Sequence, residues 1–157
     1  MLKPTYLTLL KEFKTEDHYH SNRCLFDHLL GTYHLLKQWD NPETTCVAGL
    51  FHSIYGIKTR HSKPHRFAQR KLVQSVIGIS AERLVYLFCT LERGHYLSKA
   101  DECKALIEIE VANIVEQAPF IEHFWKDTDK LIMQLKQVPH LMSPKASQAY
   151  QKLCTYS

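Results

Sequence analysis

The sequence predicts an all-α protein: a compact single domain of seven or eight helices. Three observations carry that expectation. Apolar residues recur at helical spacing along most of the chain, as in Leu25, Leu29, Tyr33 and Leu36. Only 5 Gly and 6 Pro in 157 residues leave little room for the many tight turns of an all-β fold. Helix-start signals punctuate the chain at Pro4, Asn41–Pro42, Ser80 and Ser143–Pro144. At 157 residues the chain is long enough to bury a real core. It contains no repeat or linker that would divide residues 1–157 into more than one domain.

Taken in order, residues 1–21 give an amphipathic helix from Pro4 with Leu7, Leu10 and Phe13 on one stripe, then a polar, lid-like loop carrying His18 and His20. Residues 22–117 form the core region. Its first helix, expected over 22–39, places His28 on the shoulder of the Leu25/Leu29 stripe. The DNPE junction follows, where Asn41 is the expected cap and Pro42 the first helical residue. The next helix, expected over 43–55, is apolar nearly all round, which marks it as central. It carries His52 beside Ala48 and Gly49, and Gly56 ends it. A basic loop with His61, Lys63 and His65 leads to a helix from about Pro64 to Val76, with Phe67, Leu72, Val73 and Val76 inward. A core helix then runs from a Ser80 cap through Leu91. Ser98 with Asp101 forms a capping-box pattern for a helix over 99–117. On that helix Glu110 falls in the middle of the Cys103/Leu106/Ile114 stripe with Asn113 and Gln117 beside it, whereas Glu108 points to the other side and is expected in solvent. Residues 118–157 add two C-terminal helices, with Leu131, Ile132 and Leu135 inward on the first.

The balance of charge excludes some functions. A net charge of +4, with Lys and Arg scattered among acids, lacks the basic stripe of a nucleic-acid binder. Met1 opens a polar helix rather than a secretory signal, and no apolar run approaches the ~18 residues of a membrane span. The cysteines at 24, 46, 89, 103 and 154 form no CxxC pair. Buried, reduced thiols in a cytoplasmic protein are therefore expected. Length and composition leave the oligomeric state open.

The chemistry points to three residues. His28, His52 and Glu110 each offer a polar group to an apolar interior from a separate helix. A carboxylate in an apolar stripe requires a cation, a metal or a proton. Two neutral imidazoles and one carboxylate suit a divalent transition metal such as Fe, Mn or Zn.

The 24-residue separation of His28 and His52, each expected on a helix of an all-helical chain, resembles the first two histidines of the HD-domain superfamily. More specifically, FDHLLGTYHLLKQW, CVAGLFHSIYG, RKLVQSVIG and AERLVYLFC are similar to an uncharacterised HD-like family of bacteria and plants that carries an AGLFHSIYGT-type phrase. The likeness covers roughly residues 23–117. It implies an HD-like helical bundle that holds metal, and in most HD proteins a phosphohydrolase acting on a small anionic substrate. His20, Arg23, Ser53, His61, Lys63 and Asn113 are then the candidate substrate-binding residues. Ser53 stands where the superfamily has an aspartate, which weakens the case for a dinuclear site. Two alternatives remain at this stage: a non-catalytic ligand-binding or regulatory module that has lost the aspartate, and a mononuclear iron oxygenase built on the two-histidine, one-carboxylate triad.

Overall fold

The computed structural model describes residues 2–17, 19–20, 23–56, 67–91, 102–121 and 124–155, with the side chains of 19–20 and 124–129 excepted. His61, Lys63, His65 and the Ser98/Asp101 capping pattern lie outside the described residues, as does the side chain of His20. Eight α-helices occur among the described residues: α1 Pro4–Glu12, α2 Leu25–Gln38, α3 Glu43–Leu50, α4 Arg70–Ile77, α5 Ile79–Thr90, α6 Cys103–Gln117, α7 Phe124–Leu135 and α8 Pro144–Thr155. The all-α expectation holds, and α2, α3 and α6 pack on one another. α5 lies against α3, α4 pairs with α5, and α8 covers α6. Among the described residues no helix is long and apolar enough to cross a membrane.

Several boundaries differ from expectation for identifiable reasons. α2 begins at Leu25, because Arg23–Cys24 form a strand, β2, that pairs antiparallel with Tyr19–His20, β1. α3 ends at Leu50, so His52 sits in the turn just beyond it. The cause is local. In a continuing helix the Gly49 carbonyl would accept from the N–H of Ser53. Here it accepts instead from His52, weakly through the backbone N–H at 3.5 Å and closely through the ring Nδ1 at 2.7 Å. Tight i−3 bonds carry the chain on to Gly56, whose φ of 79° closes the turn. Asn41 does not cap α3: Pro42 holds the cap position, and the Asn41 amide reaches across to α6. A positive-φ glycine, Gly78, precedes α5 in place of a Ser80 cap. Leu72 is 45% exposed rather than inward.

α6 was expected to have a wet side, and it has none from Leu106 to Ile114. α2 and α3 cover one flank and α8 another. Glu108 is accordingly 1% exposed. Its carboxylate accepts from the backbone N–H of Ser143, from Ser143 Oγ at 3.1 Å and from Asn41 Nδ2 at 2.8 Å. Ser143 Oγ in turn accepts the Ala146 N–H at 3.2 Å, capping α8 as its sequence predicts. One buried acid thus ties α6 to the start of α8 and to the α2–α3 junction.

A second buried acid, Glu82 of α5, fixes the turn that carries His52. It accepts from Tyr55 Oη at 2.9 Å, Arg70 Nε at 2.6 Å and Nη2 at 2.8 Å, and Gln74 Nε2 at 2.8 Å. Arg70 also lies over the Tyr86 ring, 3.8 Å from its centroid. Burial raises the carboxyl's pKa, but the bonds from Arg70, Gln74 and Tyr55 outweigh it and leave Glu82 below its ordinary value. A depressed folded-state pKa adds stability that is present above the unfolded value of ~4.3 and lost as pH falls through the folded value. Glu82→Gln keeps the shape and removes the charge. It is expected to cost about 1–3 kcal/mol at pH 7, discounted because Arg70 is one-third exposed. Urea titrations from pH 7 downwards should show that deficit begin to shrink once pH falls below the unfolded value of ~4.3, and close only at the lower pH where folded wild-type Glu82 is itself protonated.

Candidate functional site: a buried histidine pair

Three elements converge on one spot. The first turn of α2 supplies His28, the turn after α3 supplies His52, and the last two turns of α6 supply Asn113, Glu116 and Gln117. Both imidazoles are buried, at 3% and 1% exposure. Their rings meet edge to face, with centroids 5.1 Å apart and planes at 86°. Phe88 of α5 stands behind His52 in the same manner, at 5.1 Å and 77°.

The hydrogen bonds settle which nitrogen carries a proton on each neutral ring. A carbonyl oxygen only accepts, so His52 Nδ1 donates to Gly49 and leaves a lone pair on Nε2. His28 Nδ1 faces the Glu116 carboxylate, so it too is the protonated nitrogen. The two Nε2 atoms then point at each other across 3.3 Å. Gln117 Nε2 adds a donor to His28 Nε2 at 3.2 Å.

Two polar chains lead away from this pair. In one, Gln117 Nε2 also donates to Asn113 Oδ1 at 3.0 Å, and Asn113 Nδ2 donates to Glu110 Oε1 at 3.0 Å. The Glu110 carboxylate thus sets the direction of both amides: it takes the Asn113 donor, which turns the Asn113 oxygen towards Gln117. In the other chain, Arg23 Nη1 pairs with Glu116 Oε1, and the guanidinium lies over the Phe120 ring at 4.0 Å. Arg23 is the outer end of this chain, with its side chain 24% exposed.

Several sequence candidates are therefore brought together. His28 and His52 touch; Glu110 is fully buried and joined to His28 through Asn113 and Gln117; Arg23 reaches His28 through Glu116. Asn113, expected to face a ligand, is an internal link with no exposure. Ser53 Oγ is buried with no hydrogen-bond partner among the described residues. His20, His61 and Lys63 lie outside what the structure describes. Glu116 and its direct bond to His28 escaped the sequence reading. Its one signal was a third acid on α6, in the final turn between Asn113 and Gln117.

Metal chemistry was tested against this geometry. Two nitrogens on one tetrahedral ion, each at the usual ~2.0–2.1 Å, stand about 3.3–3.4 Å apart. The observed Nε2 separation matches that edge. Each Nδ1–H is committed to an oxygen acceptor, the arrangement that orients metal-binding imidazoles. Among the described residues no group of three or more His, Cys, Asp or Glu side chains is placed to hold a metal ion. Cys89 contributes only structure: its thiol donates to the His52 carbonyl at 3.0 Å, and burial pushes its pKa up to about 12.

Fold and site together define a helical bundle built around a buried imidazole pair. The chain belongs to the family described as a domain of unknown function, DUF6817, whose profile matches residues 9–93, more than half its length. That span contains both histidines and stops short of α6. Comparison with curated proteins and with solved structures gives no match.

The Asn113 link is directly testable. Asn113→Asp sets a second carboxylate against Glu110 and removes the donor between them. The variant should be destabilised by about 2–4 kcal/mol at pH 7.5. Urea unfolding of the variant against wild type measures the change.

Proposed function

We propose that this chain is an HD-like metal-binding domain in which His28 and His52 hold one divalent transition metal, Fe, Mn or Zn, through their Nε2 atoms. The observation that carries the reading is the 3.3 Å approach of the two Nε2 atoms while each Nδ1 is engaged by an oxygen acceptor. Glu110 acts at one remove, through Asn113 and Gln117. Ser53 in place of an aspartate keeps the site mononuclear.

The reaction class that suits such a site is hydrolysis of a phosphate ester on a small anionic substrate, for which a bound ion supplies an activated water and neutralises charge. The chain's own part is to place the two imidazoles and to offer Arg23, at the surface end of the Glu116 chain, as a cation for an arriving anion. A cytoplasmic setting fits cysteines that form no disulfide. A second reading, a non-catalytic ligand-binding or regulatory module, draws support from one specific contact: the Gln117 amide already donates to His28 Nε2.

Metal content decides between metal binding and its absence. Untagged protein dialysed against Zn, Mn or Fe(II) should retain about one ion per chain. His28→Ala and His52→Ala should each abolish retention. Ser53→Asp, which adds a negative charge beside His52, should tighten binding by about tenfold or more. Loaded wild type that hydrolyses p-nitrophenyl phosphate while His52→Ala does not supports the enzyme. Full retention without turnover supports the module, and no retention in any variant overturns the metal site.

A further inference from the structure

Position 31 lies inside α2, where glycine is a poor helix former and alanine the best. Its conformation is ordinary helix, so the backbone does not call for glycine there. The space does. A Cβ at Gly31 would stand 2.6 Å from Glu116 Oε1, 2.7 Å from its Cγ and 2.9 Å from its Cδ. The Glu116 side chain lies across the bare backbone of α2, in the volume that any other residue at 31 would fill. One turn earlier on the same helix its carboxylate meets His28 Nδ1. Arg23 holds the other oxygen from outside, with its own guanidinium stacked on Phe120.

We propose that Glu116, seated in the notch that Gly31 leaves in α2, is the positioning residue of the histidine pair: it holds His28 in the Nδ1–H tautomer, so that Nε2 is presented as a lone pair to a divalent cation between the imidazoles. Where the cation is concerned, the inference rests on the reading above; the tautomer stands apart from it. Free histidine side chains favour the Nε2–H form. Without the carboxylate only the Gln117 amide at Nε2 still favours Nδ1–H, and the intrinsic preference draws His28 towards the form with its proton on the nitrogen that faces His52. His52 needs no such residue, because the Gly49 carbonyl does the same for its Nδ1. Gly31 therefore matters for the tautomer of a side chain three residues before it, although it touches neither ring nitrogen.

The test uses the full chain, with ring ¹⁵N shifts as the first readout and Co(II) titration as the second. Wild-type His28 should show a protonated Nδ1 and an unprotonated Nε2. Glu116→Ala and Gly31→Ala should both move it towards the Nε2–H form and weaken Co(II) binding by about 10–100-fold, the usual effect of losing such a hydrogen-bond partner. The double variant should be no worse than either single one. It should also melt at a higher temperature than Glu116→Ala alone, since the new methyl then fills vacant space and favours the helix. Should Gly31→Ala fail to fold while the double variant folds, the notch is equally supported. A His28 tautomer unchanged in either single variant overturns the proposal, as does a double variant that fails to fold. Wild type that binds no Co(II) but shows the tautomer shifts would sink the metal reading and leave the positioning role standing.

Discussion

A helix enclosed on several sides has nowhere to leave a charge in water. α6 nevertheless carries Glu108, Glu110 and Glu116, the first two almost without exposure. An ionised carboxylate buried alone is too costly to persist, so each must be answered from inside the fold. The answers organise the molecule. Glu108 is met by the start of α8 and by the α2–α3 junction. Glu110 is met by Asn113, on its own helix. Glu116 is met by His28 and Arg23, near the first turn of α2. The acids of one helix thus fix the register of the elements around it, and the histidine pair lies where two of those answers meet.

That arrangement explains what the sequence could and could not convey. The helices were legible because their apolar spacing is local, and His28 and His52 stood out as polar groups on apolar elements. The orientation of Glu108 was not legible. A helical wheel assumes one wet side, and that assumption fails for a helix covered by α2 and α3 on one flank and α8 on another. Glu82 was missed for a different reason: AERLVYLFC reads as a core helix without chemistry, and the partners Arg70 and Tyr55 that answer its acid come from other elements. The end of α3 depended on a side chain displacing a backbone donor at the Gly49 carbonyl, which no propensity scale registers. Glu116 pairs with a residue 88 positions away, beyond the reach of any local pattern.

The two central glycines also do different work from what their composition suggests. Gly49 lies where a Cβ would collide with Leu36 Cδ1, so its bareness lets α3 sit close against α2. Gly31 admits a polar side chain rather than a neighbouring helix. One glycine fixes a distance between backbones, and the other makes room for a charge. Together they bring the imidazole rings from the two elements to edge-to-face contact.

Burial of the ring pair bears on time as well as affinity. Phe88 closes one side of His52, and the Arg23–Glu116 pair closes the outer side of His28. Among the described residues the two rings are 3% and 1% exposed, so the facing nitrogens are reached through movement of the side chains around them. Entry and exit then wait for a local opening, whose cost is set by the contacts broken rather than by the occupant. Exchange at this centre is therefore timed by the fold's own local opening.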